Sequence, residues 1–193
     1  MVPTERFGRL PGIRFPDYRE KVLKTRMEGC PLRILGIDPG LNITGYSVLE
    51  VTDGSLQVCE AGIVKSRSRG SLADRVHSIH EGITSVIDSF APAVVALEEL
   101  FSHYKRPRTS ILMGHARGVI CLAAAQAGLE VHSYSATQVK RILTGNGRAP
   151  KNQMQLAVMR ELNLEAVPEP ADVADALAIA LCHHYLAKRN LPI

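Results

Sequence analysis

Residues 33–51 read RILGIDPGLNITGYSVLEV, and this stretch decides the fold class. Its opening apolar run stops at a Pro-Gly turn that follows Asp38, which predicts a buried strand ended by that turn. The second half of the stretch predicts another strand, and residues 56–65 (LQVCEAGIVK) predict a third. Asp53-Gly54 joins the latter two strands, and this dipeptide between β-rich runs is typical of a tight hairpin.

Helices and single strands alternate along the rest of the chain. Ser71 predicts the start of a helix, with Asp74 in a capping-box position three residues later. One face of this helix is apolar at helical spacing, at Leu72, Val76, Ile79, Ile83, Val86 and Ile87. Further strands are predicted at 93–97 and 130–134, and further helices at 109–127, 135–144, 152–162 and 171–189. This order predicts an α/β fold, with a mixed five-stranded sheet flanked by helices.

The bulk composition indicates one globular domain. The chain has 193 residues, enough for one sizeable core and short for two. It has no run of about 18 apolar residues, so no membrane span is expected. The formal net charge of +4 hints at an anionic partner. The four cysteines form no C-x-x-C pair, which favours a reduced protein of the cytoplasm.

The first thirty residues differ from the remainder. They contain three prolines and no clear apolar period, so we expect residues 1–30 to form a poorly ordered N-terminal extension. They also lack the apolar core of a signal peptide. Residues 31–193 are therefore the predicted folded domain, and Met27 is a candidate start because the first strand begins just after it.

Two acidic positions end predicted strands. Asp38 ends the first strand, where open α/β sheets place ligands, although Asp is also a common turn former. Glu98 and Glu99 follow the strand at 93–97, and strand side chains alternate, so only one of them readily shares a site with Asp38. Periodicity leaves open which glutamate that is.

The last predicted helix carries two acids on one face. Asp172 and Asp175 are three residues apart at its start, and the following sequence ALAIALCHHYLA is apolar nearly all round. Buried carboxylates need compensation by cations or by protonation. An alternative is that both acids only favour the helix N-terminus electrostatically. Hard oxygen ligands without clustered His or Cys select Mg²⁺ or Mn²⁺, and four carboxylates can hold two such ions.

Basic and aromatic residues follow the acidic strand. Lys105, Arg106 and Arg108 are expected to rim the acidic pocket and contact phosphates, or to be solvated surface charges. Phe101 and Tyr104 could stack on unpaired bases, and a core position is the alternative for Phe101. A second basic pair, Arg148 and Lys151, flanks the glycine loop at 145–150.

Two further groupings have structural alternatives. Gly114, Ala116 and Gly118 permit close helix approach, either in a dimer interface or in internal packing. The sequence Cys182-His183-His184 has no spacing that suits a tetrahedral metal site, which favours packing.

Four motifs together resemble one family. RILGIDPGLNITGYSV resembles the opening strand pair of the RuvC Holliday-junction resolvases, and ALEELF resembles their second acidic strand. GHARGV resembles a segment of their central helix, and ADVADALAIALCHH resembles their C-terminal acidic helix. The motifs occur in the family's order and cover residues 32–187. The N-terminal extension and the basic loop SHYKRPR depart from the family pattern.

The resemblance implies an RNase H-like fold and a homodimer that makes paired, Mg²⁺-dependent nicks across four-way junction DNA. It implies two Mg²⁺ per active site, replaceable by Mn²⁺, and work with a RuvA–RuvB branch-migration complex. It assigns the catalytic, metal-binding acids to Asp38, Glu98, Asp172 and Asp175, and so selects Glu98 over Glu99. It assigns DNA contacts to Phe101, Lys140 and Lys151.

Three other functions remain as alternatives. A kinase or ATPase of the actin and sugar-kinase type needs two RNase H-like halves and a second phosphate loop. This chain has room for only one such half. A non-catalytic junction-binding protein has no use for carboxylates that face phosphate. Physical reasoning from the residues does not exclude an RNase H-like nuclease that acts on RNA. The family motifs argue against it.

Overall fold

The computed structural model describes residues 31–52, 54–66, 70–100 and 107–189. Within them, five strands form one sheet: β1 (Leu32–Asp38), β2 (Ile43–Thr52), β3 (Ser55–Lys65), β4 (Val94–Glu98) and β5 (Glu130–Tyr134). Five helices surround it: α1 (Leu72–Phe90), α2 (Pro107–Gln126), α3 (Ala136–Thr144), α4 (Lys151–Glu161) and α5 (Ala171–Arg189). The extension expected at residues 1–30 lies outside the described residues.

The sheet is mixed, as the sequence predicts. Its strand order is β3-β2-β1-β4-β5. The β1–β2 and β2–β3 pairs are antiparallel, whereas β4 runs parallel to both β1 and β5. The hairpin is confirmed, since Thr52 pairs with Ser55 and Gly54 has a φ of +82°. The parallel pair β1 and β4 lies at the centre and ends at the same edge of the sheet.

Two hydrophobic cores cover the two faces of the sheet. Ile34 and Leu49 face the core formed with α3, α4 and α5. Their neighbours Leu35 and Val48 face the core formed with α1 and α2. This alternation follows from the two-residue period of a strand, and it buries both faces of the central strands.

The helix boundaries follow local capping. The Ser71 hydroxyl oxygen accepts from the Asp74 backbone N–H at 3.2 Å, and the Asp74 carboxylate accepts from the Ser71 N–H at 2.8 Å, so the predicted capping box is confirmed. Ser135 caps α3, which ends at Gly145 in the left-handed region. On the predicted apolar face of α1, Ile79, Ile83, Val86 and Ile87 are buried and Val76 packs against them, whereas Leu72 in the first turn is 39% exposed.

The C-terminal helix α5 is buried along most of its length, as predicted. Its central residues from Ala176 to Cys182 are almost inaccessible to solvent. Each Leu or Ile side chain buried in this way stabilises the fold by roughly 1.5–3 kcal/mol. None of the helices in the described part of the chain has both the length and the apolar character needed to cross a bilayer.

Candidate active site

Three separate segments bring four carboxylates to one edge of the sheet. Asp38 ends β1 and Glu98 ends β4, its parallel neighbour. Both therefore lie at the carboxyl edge, where open α/β sheets bind ligands. Asp172 and Asp175 lie in the first two turns of α5, on one side of the helix. The four predicted acids are thus neighbours in space although they are separated by up to 137 residues in sequence, from 38 to 175.

Two strand glycines let α5 lie directly on the sheet. A methyl group on Gly36 of β1 would overlap the backbone carbonyl oxygen of Ala176. A methyl group on Gly45 of β2 would overlap the backbone carbonyl oxygen of Asp172. Because Gly45 pairs with Asp38 across the β1–β2 ladder, this close approach sets the first turn of α5 beside Asp38.

A hydrogen bond joins the side chains of Asp38 and Glu98. Burial, then the charge and hydrogen bond of Glu98, then the charges of Asp175 and Asp172, raise the pKa of Asp38 to about 8. Burial also raises the pKa of Glu98, although the hydrogen bond from Asp38 opposes that shift. Near neutral pH the pair therefore retains a proton on Asp38, because two buried carboxylates so close together cannot both ionise without a cation.

Two lysines border the acidic group. The Lys151 ammonium donates to Asp175 Oδ2 at 3.0 Å, and this bond is the main reason that the pKa of Lys151 is raised. The charges of Lys140 on α3 and of Lys151 both act to lower the pKa of Glu98. These lysines line one cleft together with Glu98 and Asp175. The cleft therefore combines anionic oxygens with cationic walls.

The donor set fits a hard divalent cation. All four acids offer carboxylate oxygens, the ligands that Mg²⁺ and Mn²⁺ prefer. Within the described ranges, no group of three or more His, Cys, Asp or Glu side chains is placed so that it could hold a metal ion as the side chains now stand. Asp175 is bound to Lys151 and Asp38 to Glu98, so metal binding requires these carboxylates to exchange their present partners for the cation.

The structure brings Glu98, and not Glu99, to Asp38. Glu98 is half-buried and bonds to Asp38, whereas Glu99 is exposed. The Glu99 backbone N–H continues the sheet by donating to the carbonyl oxygen of Tyr134 at 2.9 Å. The alternation argument therefore holds, and the choice that it left open is made by the parallel pairing of β4 with β1.

The predicted DNA contacts divide into two groups. Lys140 and Lys151 border the carboxylates, and Arg148 is exposed on the loop between α3 and α4. Arg108 is exposed in the first turn of α2. The remaining predicted contacts lie outside the described residues: Phe101, Tyr104, Lys105 and Arg106.

The small residues of α2 do not share one face. Ala116 is buried in the core, whereas Gly114 and Gly118 are exposed. Ile111 and Leu122 flank these glycines along the helix and are 62% and 50% exposed. We call the surface formed by Ile111, Gly114, Gly118 and Leu122 the α2 face. It is an apolar surface, and the two glycines at its centre leave the helix backbone uncovered by side chains.

The Cys182-His183-His184 segment belongs to the core, as the sequence favours. Burial raises the pKa of Cys182 to about 12 and lowers the pKa of His183 to about 3. His183 Nδ1 and the Tyr134 hydroxyl are 2.7 Å apart, joining α5 to β5. A neutral histidine bonded in this way supports packing next to the site.

Two kinds of residue that help to form the acidic site are not identified by the sequence analysis. Gly36 and Gly45 interrupt strands, and a glycine inside a strand is a signal of close backbone approach that was available. Arg117 contacts the backbone carbonyl of Glu98. That contact between a helix side chain and a strand carbonyl has no signature in the sequence.

Comparison with known proteins identifies a family. The family model described as crossover junction endodeoxyribonuclease RuvC matches residues 34–183. A crossover junction endodeoxyribonuclease RuvC of Rhodopirellula baltica is 59% identical over 169 residues, which cover 88% of this chain and 94% of that relative.

Solved structures of similar proteins have the same architecture. Thermus thermophilus RuvC superposes with a TM-score of 0.76 and 35% identity, over 82% of this chain and 96% of that one. The same protein in complex with Holliday junction substrate gives a TM-score of 0.77 and 34% identity with the same coverage. The predicted RNase H-like fold is therefore confirmed.

Proposed function

Because the chain belongs to the RuvC family of crossover junction endodeoxyribonucleases, we propose that it resolves Holliday junctions by paired, metal-dependent phosphodiester hydrolysis. The observation that carries this proposal is the meeting of four carboxylates at one sheet edge, where the pKa of Asp38 is raised to about 8. A group of acids in which burial and mutual repulsion hold a proton on Asp38, despite two neighbouring lysines, suits cation binding. The work of such an enzyme is the resolution step of recombination and DNA repair, in the cytoplasm.

The proposed ligands are Asp38, Glu98, Asp172 and Asp175, holding two Mg²⁺ ions for which Mn²⁺ can substitute. When bound, the ions lower the pKa of water and stabilise charge on the phosphoryl group. The water oxygen forms a bond to phosphorus as the bond to the 3′ oxygen breaks. The 3′ oxygen takes up a proton, and the products are a 5′-phosphate and a 3′-hydroxyl end.

Basic residues of the chain position the DNA and neutralise its phosphate charge. Lys140 and Lys151 neutralise phosphates next to the carboxylates, and Arg108 and Arg148 extend this basic surface outward. Phosphate contacts of this kind supply affinity without sequence information. The remaining predicted contacts follow Glu98 in the sequence and lie outside the described residues: Phe101, Tyr104, Lys105 and Arg106. The binding of Holliday junction substrate by the similar Thermus thermophilus protein supports this assignment.

A homodimer fits paired cutting, because two symmetric nicks require two active sites related by a two-fold axis. The α2 face supports a dimer, since exposed Ile111 and Leu122 flank two glycines that allow close helix approach. We also propose that the dimer works with a RuvA–RuvB branch-migration complex, as the family does.

The decisive experiment compares wild type with Asp175→Asn on a four-way junction in Mg²⁺. Wild type should cut the junction in pairs, and Asp175→Asn should bind it but cut it at least about 100-fold more slowly, because a metal ligand is lost. Asp88→Asn, at an exposed position on α1, is the matched control and should cut normally.

Substrate controls separate the alternatives. Equal cutting of linear duplex would reject junction selectivity, and preferential cutting of an RNA–DNA hybrid would favour an RNA nuclease. Binding without any cutting by wild type, in either Mg²⁺ or Mn²⁺, would indicate a non-catalytic junction-binding protein.

A further inference from the structure

Arg117 of α2 reaches across to the ends of two strands. Its Nε atom donates to the backbone carbonyl oxygen of Glu98 at 3.2 Å, and its Nη2 atom donates to the Ser133 hydroxyl oxygen at 2.5 Å. Ser133 lies on β5 and pairs with Leu97 of β4. The guanidinium therefore bridges the adjacent ends of β4 and β5, at the point where β4 delivers its acidic side chain.

The two acceptors of Arg117 are neutral oxygens. A fork-shaped guanidinium can hold two such atoms in a set geometry, which a lysine ammonium cannot do equally well. Hydrogen bonds from a charged donor are also roughly twice as strong as neutral ones. These contacts favour a geometric role, because charge neutralisation would direct the guanidinium to a carboxylate.

The contact with Glu98 restrains its side chain through the backbone. The carbonyl carbon of Glu98 and its Cβ atom are both bonded to the Cα atom, so a held carbonyl limits movement of the Cα atom from which the side chain extends. The sheet ladder holds the next residue, since the Glu99 N–H donates to Tyr134. With both sides of this segment bonded, the backbone from which the Glu98 side chain reaches Asp38 is held in place.

We propose that Arg117 is a positioning residue that sets the Glu98 carboxylate for metal binding by holding the Glu98 carbonyl and Ser133 together. The assignment rests on the proposed role of Glu98 as a metal ligand. Arg117 also lies on the same helix as the α2 face, one turn from Gly114 and next to Gly118. Arg117 therefore connects α2 to the residue that is the proposed metal ligand.

The test compares Arg117→Ala, Arg117→Lys and Ser133→Ala with wild type. Arg160→Ala, at an exposed arginine of α4, is the matched control. Two quantities are measured: Mg²⁺ dependence of single-turnover junction cutting, and Mn²⁺ binding to the free protein by electron paramagnetic resonance. Junction affinity in Ca²⁺ and the Tm are recorded in parallel.

Arg117→Ala should raise the half-saturating Mg²⁺ concentration and weaken Mn²⁺ binding by roughly 10- to 100-fold, as loss of a residue that orients a metal ligand does. Arg117→Lys keeps one donor and should recover part of the loss, and Ser133→Ala should fall between wild type and Arg117→Ala. Junction affinity should stay at the wild-type value. Millimolar guanidinium should partly restore Arg117→Ala.

Two results would overturn the proposal. Metal dependence equal to that of Arg160→Ala would remove the positioning role, and weaker junction binding with unchanged metal dependence would make Arg117 a phosphate contact. Glu98→Gln separates this failure from a failure of the proposed function. If Glu98→Gln itself cuts normally and binds Mn²⁺ normally, then the proposed role of Glu98 is wrong.

Discussion

At the scale of single residues, the buried carboxyl of Asp38 opposes the folded state once it ionises. Its pKa is raised from 3.8 to about 8, mainly by burial. Between these values the folded protein binds more protons than the unfolded chain. The contribution of Asp38 to the free energy of unfolding of the metal-free protein therefore falls as the pH rises through this range. Cation binding should reverse this loss.

Asp38→Asn should remove this pH dependence. In the presence of a chelator, the Tm of wild type should fall relative to the Tm of the variant between about pH 4 and pH 8, because the amide of the variant does not ionise. At pH 8 the variant should melt on the order of 5 °C higher, since 1 kcal/mol shifts the Tm by about 2–4 °C in a domain of this size. Asp88→Asn is the control. An equal change of Tm with pH in wild type and in Asp38→Asn would contradict the prediction.

The sequence predicts individual site residues unevenly. Asp172 and Asp175 can be predicted from helical spacing in a buried helix, because that reasoning needs only local periodicity. The choice between Glu98 and Glu99 depends on which strand lies beside β4, which is a tertiary fact. The family resemblance supplied that choice, and the fold accounts for it through the pairing of β4 with β1.

At the scale of elements, the position of α5 determines the site. The helix rests on the backbone of β1 and β2 at Gly36 and Gly45, and not on intervening side chains. Local patterns predict that α5 is a buried helix and that β1 is a buried strand. They do not predict the distance between the helix and the strand. That distance is short because Gly36 and Gly45 have no Cβ atom.

Gly36→Ala should displace α5 and weaken both folding and metal binding. The added methyl group meets backbone atoms, which cannot rotate away, so we expect a loss of about 1–3 kcal/mol in the free energy of unfolding. Urea denaturation measures this loss, and Mn²⁺ binding should weaken with it. Gly62→Ala is the matched control on β3, where the methyl group meets the mobile end of the Tyr46 side chain. Equal stability of both variants would refute the close-approach argument.

At the scale of the whole molecule, the proposed paired cutting requires the proposed association through the α2 face. Ile111→Asp combined with Leu122→Asp should convert the dimer to monomers, because two charges would enter an apolar contact. Sedimentation measures the mass. A cruciform plasmid measures the consequence, since paired nicks yield linear DNA and single nicks yield open circles.

The control for this prediction is Leu156→Asp, a comparably exposed apolar residue of α4. It should remain dimeric and linearise the plasmid. If the double variant of the α2 face also stays dimeric, the interface lies elsewhere on the molecule.

The acidic site is assembled from both early and late parts of the chain. Asp38 and Glu98 leave the ribosome first, but Asp172 and Asp175 follow only when α5 is synthesised. A nascent or prematurely terminated chain that stops before Ala171 therefore carries only half of the carboxylates and lacks the helix that closes one core. The ability to cut DNA therefore cannot arise before α5 has been synthesised, because half of the proposed ligands are on that helix.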